Sequence, residues 1–153
     1  MVKVRMAKPE DAESILKITK VAFAKYVDLA GIKDTAALHE DVETIKEDIK
    51  TKLVYVAHIN DTVVGSVRIK LLDNDTAYLS RFGVSNEYQN LGIGKTLIDA
   101  VDCEMKEKNI KFLELHTASK AFSLVHFYYK RGFYIDSTSK DMGYIRAKMV
   151  KEY

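Results

Sequence analysis

The chain has 153 residues, 47% hydrophobic and 30% charged, with a formal net charge of +2. That length is one domain with room for a real core, so residues 1–153 are read as a single domain. The charges are scattered, which leaves no nucleic-acid stripe or polybasic membrane anchor, and a lone cysteine, Cys103, excludes an internal disulfide and a multi-cysteine metal site.

Met1-Val2-Lys3-Val4-Arg5 alternates like a strand and has no signal-peptide core. No apolar run approaches the ~20 residues of a membrane span, so the expected location is the cytoplasm. Residues 2–6 read as the first strand. Pro9 suits the first turn of a helix, where its missing N–H has no partner to lose. From there to about Tyr26, Ile15, Ile18, Val21, Ala22 and Phe23 recur at helical spacing. Gly31 separates this helix from a second, acidic one over about 35–51. Val54 to Ile59 is β-branched and aromatic, Asn60-Asp61 is a turn, and Val63 to Lys70 alternates again, which together give a hairpin. After a turn at Asp73-Asn74-Asp75, Tyr78 to Val84 reads as a strand.

The next helix runs from near Gly92 to about Lys108, with Ile93, Leu97, Val101 and Met105 on one face. Lys111 to Thr117 is a strand, and a helix from about Ala121 to Arg131 stops at Gly132. Strands near 133–138 and 143–150 close the chain. The order β-α-α-β-β-β-α-β-α-β-β begins with hairpins and continues with β-α-β units. It implies an α/β (mixed α+β) fold, with one mixed sheet covered by helices on both faces.

The most informative stretch runs from Leu79 through Val84 and the polar loop Ser85 to Tyr88 into Gln89-Asn90-Leu91-Gly92-Ile93-Gly94-Lys95. It joins a strand to a helix through a loop with two close glycines. Glycines let an anion approach the backbone, and the first N–H groups of the helix lie free at the positive end of its dipole. That geometry binds phosphate or pyrophosphate, although a glycine pair alone is more often a plain tight turn. The strand before the loop and Lys95 and Thr96 after it favour the anion site. A nucleotide P-loop would need glycine at Gln89, and a Rossmann fingerprint would need it at Leu97. What remains is Gln-x-x-Gly-x-Gly, at Gln89, Gly92 and Gly94.

With this motif the chain resembles the GNAT superfamily of N-acetyltransferases, whose coenzyme loop follows a strand that ends in valine, here Val84. A second stretch, Phe127-Tyr128-Tyr129-Lys130-Arg131-Gly132-Phe133, resembles the family's ending of its last helix. The two motifs lie about forty residues apart with a strand between them, and the order of elements agrees across essentially the whole chain.

The resemblance implies a mostly antiparallel mixed sheet whose two central parallel strands, near 78–84 and 111–117, splay apart. The pantetheine of acetyl-coenzyme A (acetyl-CoA) would lie in the splay against the backbone of Phe82 and Val84, with Gly83 at a β-bulge. The N–H groups of Gln89, Asn90, Leu91, Gly92, Ile93, Gly94 and Lys95, with Thr96 following, would hold the pyrophosphate. The backbone N–H of Val84 would polarise the thioester carbonyl. Tyr128 would bind the coenzyme and give its proton to the departing thiolate. Where many members carry Asn seven residues before that tyrosine, this chain has Ala121, with Ser119 and Ser123 nearby, and Ser119 is the candidate for that contact. No metal is implied.

The implied reaction moves an acetyl group to a primary amine by direct attack in a ternary complex. An alkyl amine, with a pKa near ~10.4, must first lose a proton. The strand at Thr76 to Arg81 carries no carboxylate. His116 is the candidate base, with Glu114 on the same strand face, and water relay needs neither. Asp73 and Asp75 read as a solvated turn. The acceptor, a small molecule or a peptide, would be gripped by the first two helices and the last hairpin. Tyr26, His39 and Tyr144 are candidates there. Glu40, Asp41, Glu43, Glu47 and Asp48 would make an acidic lip suited to a cationic amine, though a charge run on a helix is usually its solvated face. No nucleic-acid or membrane partner is expected, and the family's precedent is a homodimer. The same features would also serve a module that senses acyl-CoA without turnover, against which Tyr128 argues.

Overall fold

The alternating N-terminal residues form β1 (Val2–Met6), paired antiparallel with β2 (Leu53–Ile59). The turn at Asn60-Asp61 returns the chain into β3 (Thr62–Leu71), and β4 (Thr76–Val84) continues the antiparallel run. A computed structural model describes residues 1–88 and 90–153. The remaining strands are β5 (Phe112–Ala118), β6 (Tyr134–Ser139) and β7 (Arg146–Glu152). The seven-stranded sheet runs β1-β2-β3-β4-β5-β7-β6, and β4 with β5 is its parallel pair. This is the mixed sheet that the order of elements implies, mostly antiparallel as the resemblance implies. No helix among the described residues is long and apolar enough to cross a membrane.

Among the described residues, four helices cover the two faces. α1 (Ala12–Ala30) starts after a 3-10 turn at Pro9–Asp11 and ends at Gly31, whose φ of 70° closes the last turn in a left-handed cap. α1 and α2 (Val42–Thr51) pack Ala12, Ile15 and Ile45 onto Val54 and Val56. On the opposite face α3 (Ile93–Glu107) buries Ile93, Leu97, Ile98, Val101 and Met105, in one core with Tyr55, Val67 and Leu113. α4 (Phe122–Lys130) adds Tyr128 to that core.

Two sequence expectations shift. The helix expected over 35–51 is split into a 3-10 turn at Ala36–His39 and α2. Asp41 is the reason, because its Oδ1 accepts the Thr44 N–H at 2.8 Å and so caps α2. The β-bulge falls at Arg81-Phe82, opposite β3 between Ser66 and Arg68, rather than at Gly83. Arg81 takes the left-handed φ of 53° there. Gly83 is small for another reason: a Cβ on it would stand 3.0 Å from the Ala22 Cβ of α1.

Candidate active site

The parallel pairing of β4 with β5 is limited to Thr76, Ala77 and Tyr78 against Phe112, Leu113 and Glu114. Beyond these pairs the strands separate and a cleft of about 650 Å³ opens between them. The Ser85 N–H donates to the Val64 carbonyl of β3 at 2.8 Å. Amides alternate along a strand, so the Val84 N–H, next to that of Ser85, points away from β3, into the splay. An extended chain lying there would meet free donors and acceptors of the kind a missing strand leaves.

One end of the cleft is the start of α3. Gly92 is its N-cap, at a left-handed φ of 72°, and Gly94 lies against the rings of Phe82 and Phe127, where a Cβ would approach to 3.0 Å. The first glycine therefore meets a backbone requirement and the second a packing one. The unpaired N–H groups of a 15-residue helix face this end, with Lys95, Lys130 and Arg131 around it. Phosphate-bearing chemistry fits that donor set. Of the residues expected to hold it, Asn90, Gly92, Ile93, Gly94 and Lys95 line the cleft. Leu91 is exposed and does not line it, and the Thr96 hydroxyl donates to the Gly92 carbonyl at 2.8 Å. Gln89 lies outside the described residues. Ser119 donates to the Ile145 carbonyl at 3.2 Å and is not in the cleft, whereas Ser123 lines it.

Tyr128 reaches the cleft from α4, 5% exposed, among the rings of Phe82, Phe127 and Phe133. Burial, with the Tyr26 hydroxyl nearby, pushes its phenol well above the usual tyrosine range. It therefore keeps its proton at neutral pH, and among the described residues nothing accepts that proton.

The other end of the cleft is walled by Phe23 and Tyr26 of α1, by the roots of the splay at Tyr78 and His116, and by Tyr144 and Arg146. The Tyr26 and Tyr144 hydroxyls are hydrogen-bonded at 3.1 Å, and Tyr26 also accepts the Ala118 N–H at 2.9 Å. The Tyr78 hydroxyl and His116 Nδ1 are 2.6 Å apart. Burial first, then the Arg146 charge, holds the imidazole below the usual histidine range, so it is neutral at pH 7. Sequence reasoning missed Tyr78. Its alternation with Ser80 on the strand before the loop is the one signal that pointed to it.

The other acceptor candidates lie elsewhere. His39 pairs with Asp34 at 2.6 Å on the surface, and Glu114 with Lys148 at 3.4 Å. The acidic lip does not form. Glu40 and Asp48 turn inward to Arg68, which is 0% exposed: its Nη1 donates to Glu40 Oε2 at 2.7 Å and to Asp48 Oδ2 at 2.9 Å, and its Nη2 to Glu40 Oε1 at 2.9 Å. Arg81 Nε donates to the same Glu40 at 3.3 Å. A buried arginine claims carboxylates that the helical pattern assigns to solvent.

A model of the acetyltransferase (GNAT) family matches residues 22–133. The chain belongs to this family. A crystal structure of PaiA N-acetyltransferase from Thermoplasma acidophilum in complex with coenzyme A superposes with a TM-score of 0.83 at 26% identity, over 100% of this chain and 99% of that one. A GNAT family acetyltransferase from Elizabethkingia anophelis with acetyl-CoA bound shares the fold, with a TM-score of 0.70 at 18% identity over 99% of this chain and 98% of that one. Among curated relatives, the uncharacterized protein YyaT of Bacillus subtilis (strain 168) is 28% identical over 133 residues, 87% of this chain and 82% of that protein. The spermidine N(1)-acetyltransferase of Thermoplasma acidophilum is 33% identical over 82 residues, 54% of this chain and 50% of that protein. The GNAT protein is accordingly an acetyltransferase that takes acetyl from acetyl-CoA and gives it to an amine.

Proposed function

We propose that the cleft between β4 and β5 is the ternary-complex site, with Tyr128 as general acid, the Val84 N–H as oxyanion donor and His116 as base. Acetyl-CoA supplies an acyl group activated as a thioester. The Val84 N–H, unpaired with β3, is available to a carbonyl oxygen that gains negative charge. His116, neutral and hydrogen-bonded to Tyr78, takes up the proton that the amine must lose and ends as an imidazolium that donates to the Tyr78 oxygen. The C–N bond forms as the C–S bond breaks, and the thiolate, with a free pKa near ~8.5, receives the Tyr128 proton. Phe82, Val84, Asn90, Gly92, Ile93, Gly94 and Lys95 bind the coenzyme along its length. The acceptor enters from the end walled by α1 and the β6–β7 connection.

The observation that carries this reading is Tyr128, a buried phenol whose proton has no acceptor among the described residues, facing the splay. In Tyr128→Phe, free-thiol release is expected to fall about 10²–10⁴-fold, the range for a positioned general acid. Calorimetric affinity for acetyl-CoA should stay within about threefold, because the ring still fills its place. Unchanged turnover would remove Tyr128 from the mechanism. A module that only senses acyl-CoA would release no thiol with any amine.

A further inference from the structure

We infer that the amine acceptor also carries a carboxylate, which the guanidinium of Arg146, with Arg81 beside the same chamber, receives; this rests on the acceptor end proposed above. The charged side chains lining the cleft are Lys25, Arg81, Lys95, Lys130, Arg131 and Arg146, and among the described residues no carboxylate lines it. Lys95, Lys130 and Arg131 belong to the α3 end, where a coenzyme's phosphates account for them. Arg81 and Arg146 stand at the other end, where the coenzyme gives no reason for a positive charge.

Both arginines are built in. Arg146 is held by Asp141, which accepts from Nε at 3.3 Å and from Nη2 at 2.8 Å, so Nη1 is left for a guest. Its charge is felt by Tyr26, Tyr78 and His116, which places it among the groups that surround the acceptor. Arg81 sits on the bulge at φ 53°, with its guanidinium 5.8 Å over the Phe23 ring and Nε on Glu40. Among the described residues neither of its Nη groups is hydrogen-bonded. Glu40 and Asp48 do not cancel this charge, because the two carboxylates are shared among Arg68, Arg81 and Lys52, which leaves one positive charge in excess.

Two consequences favour an amino carboxylate over a plain amine or polyamine. A guanidinium with a free fork matches a carboxylate in shape and charge. A polyamine would bring several positive charges into a cleft whose charged side chains, among the described residues, are all cations, an arrangement that disfavours it. The acceptor therefore differs in class from the polyamine in the name of the Thermoplasma relative. The Arg146 charge beside His116 also favours the neutral form of the incoming amine, which is the form that attacks.

The test uses the full chain with acetyl-CoA, read by free-thiol release. The acceptors are amino acids paired with their decarboxylated amines, tyrosine with tyramine, leucine with isopentylamine and lysine with cadaverine, and spermidine is added. The expected result is a kcat/KM at least tenfold higher for the carboxylate-bearing member of at least one pair. Arg146→Gln should narrow that ratio about tenfold through KM, while calorimetric affinity for acetyl-CoA reports that the variant is folded. A preference for the decarboxylated members or for spermidine, or a ratio untouched by Arg146→Gln, would overturn the inference and leave the catalytic reading intact. Thiol release with none of the acceptors, despite bound acetyl-CoA, would overturn the catalytic reading and this inference with it.

Discussion

At the residue scale, the base proposed for the amine's proton is His116. Its imidazole is 2.6 Å from Tyr78 and is kept neutral by burial and by Arg146. A depressed histidine pKa means that the base form dominates at neutral pH, and the loss of activity on the acid side falls below the ordinary ~6.5. His116→Gln keeps a polar group of similar size but cannot take up a proton. At pH 7.5, thiol release with an amine acceptor should drop about 10²–10⁴-fold, and the acidic limb of the kcat/KM profile should vanish. An unaltered profile would leave proton removal to water. His116 was legible because it lies on a strand at a distance from the loop motif that matches the splay. Tyr78 was not, because an aromatic on a strand ordinarily reads as packing. Arg146 was hidden for another reason: its importance comes from what surrounds it in three dimensions, and its local sequence holds no motif.

At the element scale, the glycine loop and the last helix were plain in the sequence because backbone chemistry specifies them. Gly92 needs a positive φ, Gly94 needs room beside Phe82, and Gly132 ends α4 at φ 97°. The second helix was misread because its charge pattern looks solvated. Only the fold shows that Arg68 on β3, covered on both faces, draws in Glu40 and Asp48, one on each side of the Asp41 cap that splits the 35–51 segment. This ion-pair network fastens the segment after Gly31 to the sheet, and through Arg81 to the bulge. Removing one partner of a buried pair leaves a stranded charge, at about 3–5 kcal/mol. Glu40→Gln should therefore lower the melting temperature by about 6–20 °C, at about 2–4 °C per kcal/mol for a domain of this size. Glu43→Gln, on the exposed side of α2, should change stability by less than about 0.5 kcal/mol. Equal effects in thermal denaturation would mean that the network adds no stability of its own.

At the scale of the whole molecule, the sheet is two ladders, β1 to β4 and β5 to β6, joined through three parallel residue pairs at the root of the splay. Other links lie at the ends and faces. The tail of α1 meets β5 and the start of α4 through Ala30, Ala118 and Ala121, with the Tyr26–Tyr144 bond above them. Asp102 of α3 accepts from Lys151 at 2.7 Å and from Tyr153 at 2.6 Å, which ties the last strand to the helix that packs on β1 to β4. Between these fastenings the facing edges of β4 and β5 lack their ladder partners. A ligand that lies in the gap as a surrogate strand joins the two ladders, so its binding energy appears as global stability. At a concentration about 100-fold above its Kd, acetyl-CoA should add about 2.7 kcal/mol, a rise of about 5–11 °C in melting temperature. 3′-Phosphoadenosine 5′-diphosphate keeps the three phosphates but has no pantetheine to bridge the gap, so at equal concentration it should shift the transition far less. An equal shift from both would mean that the phosphate end carries all of the affinity and that the splay is not where the coenzyme lies.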